Sequence, residues 1–278
     1  MCYIISGNII DVLYLGKGDM LDKFFDLLRR HRFLFEELVK RDFKRKYKRT
    51  VLGMGWSILA PLLTLFVMKT VFSQFFGRAM SHYTIYLFCG SLVFSYYKEA
   101  TSSGMGSLLF NAAIFTKINV PKYIFLLSRN VSSLINFGLT FCVFILFCAL
   151  DKIDFSLHFL LLIYPIFWLL IFNIGIGFIL SALYVFFRDI QYLYDVFTML
   201  LMYMSAIFYS TSAFSPAARK LFLLNPVYTY ISYFREVVLN NSVPSLTLHL
   251  FCAFYAVAAL AVGAAFYKKF NKIFLYYV

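Results

Sequence analysis

The residues of this chain best placed to do chemistry are charges inside apolar runs. Lys98 and Glu99 stand about 15 residues into the stretch 84–109, which is about 22 Å along a helix rising 1.5 Å per residue. An ionised group at the centre of a bilayer costs about 2.5–3.5 kcal/mol on insertion scales. Neighbouring helical residues point about 100° apart, so these two do not simply pair with each other. Either Glu99 faces the protein interior or a water-filled path, or the apolar stretch ends near Tyr97 and both groups are already wet. Lys69 falls late in an earlier apolar stretch and is placed to snorkel. Arg188-Asp189 closes another stretch and marks a membrane boundary.

Recognisable catalytic patterns are missing. There is no GxxxxGK[ST] phosphate loop, since Gly16-Lys17-Gly18 lacks the rest of it, and there is no HExxH or GxSxG. The four histidines (31, 82, 158, 249) are scattered and read as interfacial residues. The five cysteines (2, 89, 142, 148, 252) lack the close Cys/His spacing of a zinc site, and they read as small hydrophobes. No catalytic residue, metal ligand or cofactor is expected in this chain. Two Asn-x-Ser triplets, at Asn130 and Asn240, are patterns common by chance.

The surrounding elements follow from composition. Hydrophobic residues make up 62% of the 278 and charged residues 14%, against roughly 45–50% and 25% in soluble domains. A soluble core could not hide so much apolar surface. A spanning helix needs about 20 mostly apolar residues, and six stretches qualify: 52–76, 84–109, 129–149, 157–187, 193–213 and 248–267. The fourth is too long for a simple span, so it either tilts or continues as helix into the cytoplasm. The expected fold is therefore an all-α integral membrane protein with six transmembrane helices. Residues 1–50 would form a cytoplasmic segment and 51–278 the spanning domain. Met1–Leu15 has no basic n-region and includes Asp11, so no signal peptide is expected.

Lys and Arg set the orientation. With the basic segment before the first span placed inside, nineteen basic residues fall inside and five outside. Both termini are thus expected in the cytoplasm. The net charge of +13 is concentrated where it abuts a span, and each such residue gains about 1 kcal/mol from anionic lipid. No nucleic-acid motif accompanies it, so membrane lipid is the expected partner and nucleic acid is not.

Three segments lie outside the spans. Within 20–49, Phe35, Val39, Phe43 and Tyr47 recur every four residues opposite a basic face. That predicts one or two amphipathic helices lying in the interface, or a solvated cytoplasmic helix. From Asn111 to Lys122, Ile114, Phe115 and Ile118 would form an apolar knob on the cytoplasmic side. It is either a docking point for a partner or a turn tucked back against the bilayer. Residues 214–247 are too long for a plain connection. Their apolar middle breaks at Asn225-Pro226, predicting two short helices that dip into the outer leaflet, or an external hairpin. The 35 Phe and 21 Tyr are mostly lipid contacts and interfacial belts, with a few left to line a path.

Several phrases, taken in order, resemble one family. Leu38-Val39-Lys40-Arg41-Asp42-Phe43-Lys44, then Tyr47-Lys48-Arg49-Thr50-Val51-Leu52-Gly53 and Trp56-Ser57-Ile58-Leu59-Ala60-Pro61, are similar to the approach to the first span in polysaccharide-exporting ABC permeases. Lys46 stands where that family usually has Arg. Glu99 matches an acidic position of its second span. Asn111 to Lys117 with Val120-Pro121 resembles its cytoplasmic coupling segment, and Phe187-Arg188-Asp189 its Y-F-R-D. Asn225-Pro226 and Phe234-Arg235 resemble its re-entrant outer helices. The resemblance covers about residues 33–270.

That resemblance implies a homodimeric permease in a bacterial cytoplasmic membrane, working with two copies of a separate ATPase that binds ATP and Mg. It would export a lipid-linked polysaccharide such as an O antigen, a teichoic acid or a capsule. Asn111, Ile114, Phe115, Lys117, Ile118 and Pro121 would dock the ATPase. Arg41, Asp42, Phe43, Lys44, Tyr47 and Arg49 would form the interface helix. Glu99, Arg188, Asp189, Asn225, Pro226 and Arg235 become path or gate candidates. The competing expectations are a permease for a drug or small lipid, and a membrane-bound transferase acting on lipid-linked substrates.

Overall fold

The computed structural model describes residues 31–48, 50–77, 81–118, 120–211, 214–271 and 274–277. Eleven helices order these residues: α1 (Arg32–Tyr47), α2 (Trp56–Phe76), α3 (Tyr83–Met105), α4 (Ala112–Phe115), α5 (Tyr123–Leu150), α6 (Ile163–Phe186), α7 (Ile190–Met204), α8 (Pro216–Phe222), α9 (Pro226–Leu239), α10 (Leu246–Phe270) and α11 (Phe274–Tyr277). Tighter 3-10 turns lead into α2, α4 and α6 at Gly53–Gly55, Leu109–Asn111 and Leu157–Leu162. Among the described residues there is no strand. The part of the expected interface helix before residue 31, and Arg49, lie outside the described residues.

Among the described residues, four stretches are long and apolar enough to cross a membrane: Gly53–Phe76, Tyr123–Leu150, Leu157–Phe186 and Leu246–Phe270. Helix α3 has 23 residues but is less apolar, and its position explains why. Ile85, Leu87, Phe88, Cys89, Val93 and Ala100 are all buried, because α5, α6, α9 and α2 pack around it. A helix enclosed by protein keeps Ser, Thr, Gly and Glu at places where lipid would penalise them. Helix α7 has only 15 residues, about 22 Å, and continues as irregular turns.

Two helix boundaries differ from the sequence expectation. The third apolar stretch starts as helix at Tyr123, not near 129, because Arg129 does not mark an edge. Its side chain is only 11% exposed, 3.1 Å from Asp42 Oδ2. In the fourth, the surplus residues form the 3-10 turn Leu157–Leu162 and do not prolong the helix beyond Phe186. Phe187 turns extended (φ −130°, ψ 99°) and ends it.

Two local features fix the packing around the site. Pro61 lies inside α2 and has no N–H, which leaves the Ser57 carbonyl without its helical donor. Thr140 Oγ1 of α5 donates to that carbonyl at 3.3 Å, tying α2 to α5. Helices α6 and α10 touch backbone to backbone, since a Cβ at Gly175 or Gly263 would overlap the other helix's main chain. Helix α2 stays largely uncovered, with Leu65 and Ser57 its buried residues.

Candidate functional site

The last turn of α1 and the facing sides of α2, α3 and α5 enclose a cavity of about 510 Å³. Glu99 sits on its wall. Its Oε1 lies 2.9 Å from Lys46 Nζ and accepts from Asn136 Nδ2 at 2.6 Å. Tyr47 Oη donates to Asn136 Oδ1 at 2.9 Å, so both ends of one amide are used. Glu99 thus pairs with a lysine from α1, while the adjacent Lys98 is exposed. Hydroxyls of Ser91, Ser95, Ser133, Thr64 and Thr140 line the cavity beside the rings of Trp56, Tyr96, Phe88 and Phe137. Ser57 and Tyr96 on its wall are buried, and the Ser57 hydroxyl donates to no partner among the described residues. Hydroxyls, an amide and a carboxylate next to ring faces can bind a hydroxyl-rich molecule reversibly.

One helical turn earlier in α1, Asp42 is buried at 5% exposure. Its Oδ1 accepts from Arg41 Nη2 at 2.8 Å, and Arg129 of α5 faces its other oxygen. A buried carboxylate needs such partners, because an unpaired charge away from water is costly. Arg41 Nη2 also donates to Asn111 Oδ1 at 2.7 Å, and Asn111 Nδ2 donates to the Ser107 carbonyl at 2.7 Å. One guanidinium therefore links the α1 helix to the segment that begins α4. Outside this contact, Arg41, Lys44, Arg45 and Lys48 border an open basic cleft of about 630 Å³ with Gly53 and Met54. Phe43 stacks edgewise on Tyr47 with ring centroids 5.6 Å apart.

The expected apolar knob is smaller than the sequence suggests. Phe115 is buried at 6% and packs 6.0 Å from the Phe125 ring. It turns inward because the single turn of α4 has no apolar face of its own to shield, and α5 offers one. Ile114 is half-buried, whereas Ile118 is 47% exposed and Thr116 and Lys117 are exposed beside it. Pro121 begins the turn into α5, where Lys122 is half-buried, and burial pushes the Lys122 ammonium below the usual lysine range.

The remaining candidates stand elsewhere. Asn225 Oδ1 caps α9 by accepting from the Val227 and Tyr228 amides at 3.0 and 3.3 Å, the ordinary role of Asn before Pro at a helix start. Its Nδ2 donates to Ser205 Oγ at 3.0 Å. Arg235 of α9 is buried, and among the described residues no acid pairs with it. It donates to the carbonyls of Ala206 (2.9 Å), Ile207 (3.0 Å) and Tyr86 (3.3 Å) and stacks 3.5 Å over the Tyr86 ring. Tyr83 and Tyr86 donate to the carbonyls of Phe208 and Tyr209 at 2.8 and 2.6 Å. The irregular turn after α7 is thereby satisfied by side chains, as non-helical backbone away from water requires. Arg188 and Asp189 are exposed at the α6–α7 joint. Glu99, Arg41, Asp42, Asn111 and Tyr47 are brought into two neighbouring centres, while Arg188, Asp189, Asn225, Pro226 and Arg235 are not part of them.

Sequence reasoning passed over Asn136, the α5 residue that connects Tyr47 to Glu99. The signal was there: Ser133, Asn136 and Thr140 recur at helical spacing within an otherwise apolar run.

Apolar spanning helices around a polar, non-covalent site define an integral membrane protein built for passage or binding. Residues 34–239 match the ABC-2 type transporter family, and the chain belongs to it. It is 29% identical over 214 residues to the O-antigen export system permease protein RfbA of Klebsiella pneumoniae, covering 75% of this chain and 82% of that one. It is 23% identical over 250 residues to RfbA of Myxococcus xanthus, covering 89% and 96%. It is 22% identical over 260 residues to the capsule polysaccharide export inner-membrane protein CtrC of Neisseria meningitidis, covering 90% and 95%.

Proposed function

We propose that this chain is the membrane permease of an ATP-driven exporter that moves a lipid-linked cell-surface polysaccharide across the bacterial cytoplasmic membrane. The observation that carries this reading is the near end-to-end similarity to relatives named for O-antigen and capsule export. The cavity beside Glu99 supports it, because ring faces and hydroxyl-bonding groups suit a sugar.

In this reading α3 and α7 cross the membrane with the four more apolar helices, giving six spans. Both termini face the cytoplasm, residues 1–50 form the cytoplasmic segment, and 51–278 form the spanning domain. Helices α8 and α9 dip into the outer leaflet, and Arg235 holds the turn beside them. The permease works as a homodimer, with a second copy covering exposed side chains such as Phe66, Val67, Val196 and Leu200. Two copies of a separate ATPase dock on Asn111–Pro121, with Ile118 and Lys117 as the outward contacts and Asn111 and Phe115 beneath them. The α1 helix, including Arg41, Asp42, Phe43, Lys44 and Tyr47, together with Arg49 that follows it in the sequence, flanks the path by which the lipid-borne substrate arrives. Arg188 and Asp189 mark the cytoplasmic boundary.

Depletion of the chain tests this reading. Lipid-linked glycan should accumulate on the inner leaflet while surface glycan falls. Unchanged surface glycan with no stranded intermediate would refute the reading.

A further inference from the structure

One cluster at the basic end serves neither the cavity nor the Asp42 junction. Phe274, in the single turn α11, is fully buried, with its ring 5.2 Å from Tyr267 and 6.0 Å from Phe186. The Lys122 ammonium lies 5.6 Å from the Phe274 ring and 5.7 Å from the Phe115 ring. The same ammonium donates to the Asn271 carbonyl at 2.7 Å. One cation therefore holds both the underside of the α4 segment and the chain leading to α11. Phe115 and Phe274 also share a single apolar cluster with Leu38, Leu108 and Phe125.

A four-residue helix has almost no stability of its own, because forming its first turn fixes several residues for one hydrogen bond. The position of α4 is thus set by what lies beneath it. Three contacts do this: Arg41 on Asn111, Phe125 under Phe115, and Lys122 clamped between Phe115 and Phe274. The first two come from α1 and α5. The third brings in the end of the described chain, more than 150 residues away in sequence.

We infer that Phe274 is a positioning residue which, through Lys122, sets the pose of the 109–118 segment for its partner. This inference rests on the reading that the segment docks an ATPase. A load applied at Ile118 and Lys117 reaches the body of the protein partly through Phe115, and Lys122 shares it with α11.

The experiment uses the full chain expressed with the ATPase that co-purifies with it. Lys122→Met should melt close to the wild type in detergent, Phe274→Ala should melt lower because it empties the site of a buried ring, and both should recover roughly five-fold less ATPase, within the range by which residues off a binding surface modulate coupling. Lys122→Arg, which keeps a cation against both rings, should restore recovery, an outcome that a merely structural loss does not give. A second arm, Lys117→Glu with Ile118→Glu, probes the docking surface itself. If that pair loses the ATPase while Phe274→Ala and Lys122→Met keep it, the positioning role is overturned and the docking reading stands. If the surface pair keeps the ATPase, the docking reading falls and takes the positioning role with it. Should Phe274→Ala fail to fold, Lys122→Met and its Arg rescue decide by the same readout.

Discussion

Among the described residues two arginines are withdrawn from water, and their charges are met by opposite means. Arg129, beside α1, faces a carboxylate, and the Asp42 it meets is shared with Arg41, which also reaches Asn111. Arg235, against the turn after α7, donates to carbonyl groups and stacks on a tyrosine ring. The first arrangement joins three separate segments through charge, beside the uncharged ties Tyr47–Asn136 and Phe115–Phe125. The second satisfies one irregular turn from one helix, and it depends on the shape of a planar five-donor group. The basic end is a junction between separate parts of the sequence, while the Arg235 end is a sealed corner.

That contrast can be broken from either side. The largest effect is expected from Arg235→Met. It takes a donor from three carbonyls, of which Ala206 keeps the Tyr86 hydroxyl at 3.4 Å, and a group left buried without a partner costs about 1–3 kcal/mol. Folded protein in membranes should fall sharply, and Arg235→Lys should recover only part of it because a single ammonium cannot reproduce the fork. Asp42→Asn comes next. Removing one partner of a buried pair costs about 3–5 kcal/mol, so the melting midpoint should drop. Combining it with Arg129→Met should recover part of that loss, whereas a fully additive double variant would deny that the two residues interact.

Gly90→Ala sharpens the comparison at the sealed corner. The new methyl would lie 3.0 Å from Arg235 Nη2 and 3.1 Å from Ile207 Cγ2. A loss of about 1–3 kcal/mol, typical of overpacking, should appear in thermal melting. The smallest stability change belongs to Glu99→Gln. Its pair with Lys46 is partly exposed on both sides, and such pairs contribute about 0–1 kcal/mol. Export should nevertheless fall, measured as surface glycan at equal protein level. Unaltered export would remove Glu99 from the path.

The sequence was most legible where one physical demand governed many residues. Hydrophobic length located the apolar helices, Asn225-Pro226 located the α8–α9 break, and Glu99 stood out because charge in an apolar run is expensive. It was least legible where burial depended on a distant partner. Arg129 read as the edge of a span because nothing local shows that Asp42, 87 positions earlier, would neutralise it. Phe115 read as part of an outward knob or of a turn tucked against the bilayer, because its cover comes from Phe125 of the next helix and from Lys122 just before it. Arg235 read as a path or gate candidate, and no spacing encodes the shape of the turn whose carbonyls it meets.

The glycine contact between α6 and α10 has a mechanical meaning. Main chains pressed together at Gly175 and Gly263 leave no side-chain layer between the helices, so a methyl added at either position would wedge them apart and loosen the whole length of the pair.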